Sequence, residues 1–148
     1  MPRYLSILGL LLVLASCSAD PRPIAYGEDA CHHCKMKLMD QKFGAELVTE
    51  KGKVFIFDDV NCMLQFRDSE EGKSQTYKHI LVTDYLNPGT LLDANVAHYL
   101  KSESIQTPMA SQVVAISDFK LLEEYKNKNG GIYIAWGELT TQFNLFSR

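Results

Sequence analysis

Apolar residues rise out of the polar background in short runs of two different periods. From Gly44 to Thr49 apolar and polar side chains alternate, the pattern of a strand with one buried face. Val54 to Phe57 forms the next apolar run after the turn residues Glu50-Lys51-Gly52-Lys53, so a hairpin is predicted. The period then lengthens. Val60, Met63, Leu64 and Phe66 fall on one face of a helix that Asp58 and Asp59 are placed to cap. The charged, glycine-containing stretch Asp68 to Ser74 reads as a loop, His79 to Asp84 as a strand, and Asn87-Pro88-Gly89 as a turn.

The second half repeats this order. Ala94 to Leu100 and Gln112 to Ile116 read as strands separated by a loop over Lys101 to Ala110. Ser117 or Asp118 caps a helix with Phe119, Leu122 and Tyr125 on one face, closed by Asn129-Gly130-Gly131. Ile132 to Trp136 reads as a final strand. Two β-rich halves, each with one amphipathic helix, predict a single compact α+β domain with an internal repeat. Residues 140–148 read as a flexible tail.

The N-terminus adds an address. Arg3 precedes the apolar run Leu5 to Ala15, which is too short to span a bilayer as a mature helix. The run ends in Leu14-Ala15-Ser16-Cys17, which resembles a bacterial lipobox. It implies removal of a signal peptide, residues 1–16, and attachment of lipid to Cys17. Residues 17–23, with two prolines, then form a short tether, and 24–139 form the domain. The expected location is the periplasmic side of a membrane, held by the lipid.

Charge excludes one class of partner. The formal net charge is −3, the leader removes only Arg3, and no basic stripe exists to bind nucleic acid. No Gly-x-Ser-x-Gly, HExxH, P-loop or Rossmann glycine pattern occurs.

Cysteine chemistry changes the picture most. Residues 31 to 36 read Cys-His-His-Cys-Lys-Met, a concentration of soft donors that no hydrophobic core requires. Thiolate and thioether together favour Cu(I), and thiolate with imidazole also suits zinc. Cys31 and Cys34 have the gap that turns two sulfurs toward one ion. If the segment is extended, Cys34 and Met36 share a face. Neighbouring residues on such a segment diverge, so at most one histidine reaches the ion, and His33 is favoured. Met109, on the proline-held loop Thr107-Pro108-Met109-Ala110, is a further thioether candidate. Cys62 and Met63 lie on the predicted helix, where Met63 reads as core and Cys62 as a buried, inert thiol. The Asp58-Asp59 pair is accounted for by capping.

With these motifs in hand, the chain resembles the NosL family of nitrous-oxide-reductase accessory lipoproteins. The likeness also takes in Ile24-Ala25-Tyr26-Gly27, Asp29, Phe57-Asp58-Asp59-Val60, Ala97-His98-Tyr99-Leu100 and Gly130-Gly131 through Trp136. The doubled His32-His33 and Ala110 after Met109 depart from the family pattern. The resemblance implies a lipid-anchored Cu(I) chaperone that is not an enzyme. Its partners would be nitrous oxide reductase and an ABC-transporter-linked maturation complex, and a homodimer sharing the site is left open. It also implies two related ββα-type halves, similar to the alkylmercury lyase core.

Two rival readings stand beside it. An alkylmercury lyase-like enzyme needs two thiols and a carboxylate, for which Cys31, Cys34 and Asp29 are the candidates. Alternatively, Cys31 and Cys34 form only a structural disulfide, with Cys62 left over.

Overall fold

A computed structural model describes residues 18–144 of the chain. The leader and the expected lipid-bearing Cys17 lie outside the described residues. The predicted hairpin forms as β1 (Ala45–Thr49) and β2 (Val54–Phe57), paired from Ala45 opposite Phe57 to Val48 opposite Val54. Helix α1 (Val60–Asp68) follows, with Asp59 as its N-cap accepting from the Asn61 amide. Its continuation differs from expectation. The charged stretch expected as a loop contains a short helix, α2 (Glu70–Lys73), because the Ser69 hydroxyl caps the Gly72 amide.

Gly72 is what lets α2 lie so close to α1. A Cβ placed there would stand 2.0 Å from the Phe66 carbonyl oxygen and 2.7 Å from Arg67 Cα. Both obstacles are backbone and cannot rotate away. Gly72→Ala is therefore expected to cost about 1–3 kcal/mol by forcing α2 off its neighbour. Urea unfolding measures this, and an unchanged midpoint would contradict it.

Strand β3 (Tyr77–Thr83) pairs with β1, and β4 (Leu91–Asp93) pairs with β3, giving a four-stranded antiparallel sheet in the order β2-β1-β3-β4. The second sheet contains β5 (His98–Lys101), β6 (Val113–Ile116) and β7 (Ile132–Ile134) in the order β6-β5-β7. Helix α3 (Phe119–Asn129) connects β6 to β7, with Asp118 as its N-cap and Gly130 at φ 76° closing it. In each half the first strand is central, the second returns beside it, a helix crosses, and a third strand takes the first strand's other side, with β4 added beyond it as the edge of sheet one. The repeat is thus ββαβ rather than the ββα expected. Residues Ala94–Ala97, expected as the start of a strand, form a turn in which Asp93 Oδ1 accepts from the Asn95 amide at 2.8 Å. Residues 140–144, expected within a tail, are the end of α4 (Trp136–Asn144).

Two cores result. The larger joins sheet one and α1 to α4 through Phe55, Phe57, Met63, Phe66 and Leu139. The smaller gathers Leu100, Ile105, Val114, Ile116 and Leu122 between sheet two and α3. A parallel bridge between Asp84 and Ala115 links the sheets. Among the described residues, no helix is long and apolar enough to cross a membrane.

The chain before the first strand is not free. Residues 18–26 run along β1 in the reverse direction, with Ser18 beside Gly52 and Ile24 and Tyr26 beside Gly44. Midway, the Arg22 amide donates to Glu46 Oε1 at 3.0 Å. This contact satisfies one oxygen of an otherwise odd residue, a glutamate fully buried in the middle of a sheet, whose Oε2 has no hydrogen-bond partner among the described residues. Burial pushes the Glu46 carboxyl up from its usual range. Arg22 itself forks onto both oxygens of Asp29 at 2.8 Å.

Candidate metal centre

The cysteine motif is held by backbone bonds rather than extended. Ala30 pairs with Lys37, the Cys31 amide donates to the Met36 carbonyl at 2.7 Å, and the Lys35 amide donates to the Cys31 carbonyl at 3.0 Å. Lys35 closes this tight loop in the left-handed region at φ 67°, and its ammonium caps the His32 carbonyl. The two-residue alternation expected for Cys34 and Met36 therefore does not apply. Cys34 turns inward, half-buried, and Met36 remains 46% exposed.

The loop docks on the end of β2 through the His32 amide, which donates to the Ile56 carbonyl at 2.7 Å. This puts Cys31 and Cys34 over the junction between β2 and α1. Asp58 follows the last residue of β2, and Cys62 sits in the first turn of α1. Cys31 Sγ, Cys34 Sγ, Cys62 Sγ and an Asp58 carboxylate oxygen all lie within 4.8 Å of one another. All three thiols are free.

Cys62, read from sequence as inert, is therefore part of the cluster, and Asp58 does more than sit beside a cap. Asp58 comes just before the extended N-cap Asp59 and Cys62 three residues after it, so the turn from strand into helix brings both to one corner, which helical spacing alone does not reveal. Asp59 alone caps α1.

Electrostatics prepare one sulfur to carry charge. The Cys31 thiol is lowered from 9.0 to about 6, chiefly by the hydrogen bond it receives from Cys62. Burial opposes this, while backbone amides of Asp58, Cys34 and His33 add to it. The Cys34 amide stands 3.5 Å from Cys31 Sγ. These N–H groups form a small concave anion site of the kind that holds thiolates. Cys62 keeps its proton, pushed up by donating to Cys31. The Cys34 thiol is pushed up to about 11, mainly by burial, and donates to Asp58 Oδ2 at 3.2 Å.

A thiol whose folded-state pKa is depressed stabilises the fold above its unfolded pKa, and loses that contribution as pH falls through the folded value. The Cys31 contribution should thus be complete above pH 9.0 and gone below about 6. Thiolate absorbance at 240 nm in the metal-free protein is expected to rise by one group around pH 6. Cys62→Ala should move that rise to higher pH. A midpoint unchanged by the substitution would contradict the assignment.

The donor set suits a soft cation. Metal–sulfur bonds of about 2.3 Å place tetrahedral sulfurs about 3.8 Å apart, so closing this cluster needs a contraction of no more than about 1 Å. Asp58 Oδ1 is buried and has no hydrogen-bond partner among the described residues, which leaves it available to a cation or its ligand.

The remaining candidates occupy different places. His33 is exposed, and its Nε2 lies 3.0 Å from Gln65 Oε1 on α1, away from the thiols. His32 packs edge-on against Phe55 and Phe66, at 4.7 and 5.0 Å between ring centroids. Neither belongs to the cluster. Met109 is half-buried, against the same core as Cys34. Its amide donates to Asp59 Oδ2 at 3.0 Å, and its carbonyl accepts from Asn61 Nδ2 at 2.8 Å. The loop from the second half is therefore tied to the first turn of α1, the turn that carries Cys62. Asp29, imagined beside the thiols for a lyase, is instead engaged with Arg22.

Comparison with known proteins adds to this. The family described as NosL matches residues 24–143. Among solved structures, the fold is similar to "Crystal structure of the copper chaperone NosL from Shewanella denitrificans", with a TM-score of 0.67 and 22% identity. The match covers 82% of this chain and 96% of that one. No curated protein matches.

Proposed function

Because the chain belongs to the NosL family, we propose that it is a Cu(I) chaperone, held by lipid at Cys17 on the periplasmic side of a membrane. It would deliver copper for maturation of nitrous oxide reductase, through the ABC-transporter-linked complex of that pathway. The observation that carries the reading is the convergence of three free thiols and a carboxylate within 4.8 Å. Copper is cargo here, so the site must both hold it and let go.

Soft sulfur donors give affinity for Cu(I), and low coordination leaves a side open to attack by an acceptor's sulfur. Cys31 and Cys34 are the holding ligands in this proposal, with Cys62 poised on Cys31. Met36, exposed at the loop's edge, and Met109, brought by the second half, are thioethers for the open side. The anaerobic protein should take up one Cu(I) against a colorimetric chelator. X-ray absorption on the loaded protein should count mainly sulfur neighbours. A nitrogen-dominated shell would overturn the ligand set.

A second reading is favoured by one specific contact, the Cys34 thiol on the Asp58 carboxylate at 3.2 Å. Two thiols and a carboxylate are what cleavage of a carbon–mercury bond requires, and likeness to an alkylmercury lyase core is implied by the family. Release of mercury from an alkylmercury compound by the metal-free protein would establish this reading. The copper reading expects none.

A further inference from the structure

We propose that the β1–β2 turn is the end of the domain that rests on the lipid surface, and that the cysteine site faces away from it. The inference deepens the proposed anchoring and rests on lipid attachment at Cys17. What carries it is the path of residues 18–26. The Ser18 carbonyl oxygen lies 3.2 Å from where a Gly52 Cβ would be, and Ala19 is only 6% exposed. Arg22 is fastened to buried Glu46 and to Asp29, and the Tyr26 hydroxyl donates to the Phe43 carbonyl at 2.8 Å. From Gly52 to Gly44 the strap is fixed along the whole of β1.

The consequence is one of reach. A free seven-residue tether would give the domain a root-mean-square play of about 15 Å and no preferred orientation. With Ser18 docked, one peptide unit of about 3.8 Å separates the lipid-bearing residue from the turn. Asp58 lies six residues along the hairpin from Gly52, which at about 3.3 Å per residue puts the cluster about 20 Å from the anchored end. Charge does not choose this face. Lys51 and Lys53 share it with Glu50 and Glu71, and Lys53 pairs with Glu71 at 3.3 Å. The orientation comes from the strap, and it turns copper toward partners standing off the membrane.

The test uses the full-length lipidated protein with Trp136→Phe, on phosphatidylethanolamine–phosphatidylglycerol vesicles whose acyl chains carry bromine. One reporter is Lys51→Trp, at the exposed turn. The other is Leu86→Trp, 40% exposed and just beyond the opposite end of β3. Bromine should quench the Lys51→Trp reporter several-fold more than the Leu86→Trp reporter. Adding Ala19→Glu, which expels the strap, should bring the two close to equality while the protein still floats with the vesicles. Flotation with equal quenching at the outset overturns the orientation and leaves the anchor standing. A several-fold difference that survives Ala19→Glu overturns the strap as its cause. Failure to float overturns the anchor and the orientation together.

Discussion

Cys34→Ser is expected to lower Cu(I) affinity by more than about a hundredfold, because even residues behind the ligands commonly cost 10–100-fold when replaced. The loss has one source: a hydroxyl is a poor partner for a soft ion. The tight loop that presents Cys31 is closed by the Cys31 and Lys35 amides. Serine preserves that loop and its contact with Asp58, so the experiment isolates the sulfur. Chelator competition under anaerobic conditions measures the change. His33→Ala, whose ring faces Gln65, should leave affinity nearly unaltered. Wild-type affinity in Cys34→Ser would remove the ion from this cluster altogether.

Phe57→Ala is expected to destabilise the fold by about 3–5 kcal/mol, the range for emptying an aromatic from a close-packed core. Phe57 is fully buried, and its ring stands 5.3 Å from that of Phe66, which in turn touches Phe55 at 4.7 Å. The three rings form the floor on which His32, and through it the cysteine loop, is seated. Chemical unfolding should show the full loss in the metal-free protein. Copper should restore part of it, since binding to the native state alone stabilises that state. A loss below about 1 kcal/mol would mean that the core closes over the gap.

Much of the fold could be read from spacing. The hairpin was legible from two apolar runs flanking a glycine turn, although β1 is buried on both faces, and α1 and α3 from the caps Asp59 and Asp118. Short elements were not. Strand β4 has three residues and α2 has four, too few to show a period. Ala94 to Ala97 has the composition of a strand but turns, because the Asp93 carboxylate accepts from the Asn95 amide. Helix α4 begins beside a glycine and owes its place to tertiary contacts, the buried Leu139 and the stacking of Trp136 on Tyr99.

The site divides in the same way. Cys31 and Cys34 announce themselves by their gap, whereas Cys62 and Asp58 join them only when the loop lies down on the β2–α1 corner. Met36 shows the limit of local reasoning. An extended chain would put it on the face of Cys34, but the bond from the Cys31 amide to the Met36 carbonyl folds that chain back.

The matching strand orders of the two sheets have one more consequence. Each half has a corner where an outer strand hands over to a capped helix, at Asp59 in the first and Asp118 in the second. Three residues past the cap, the first corner has the thiol of Cys62. The second has Leu121, 44% exposed to solvent. The molecule thus carries its own internal control, the same architecture with the reactive atom left out. The proposed copper site is not a property of the corner's shape but of what was written into one copy of it. The blank copy is free to serve the other as scaffold, its loop bound through the Met109 backbone to Asp59 and Asn61.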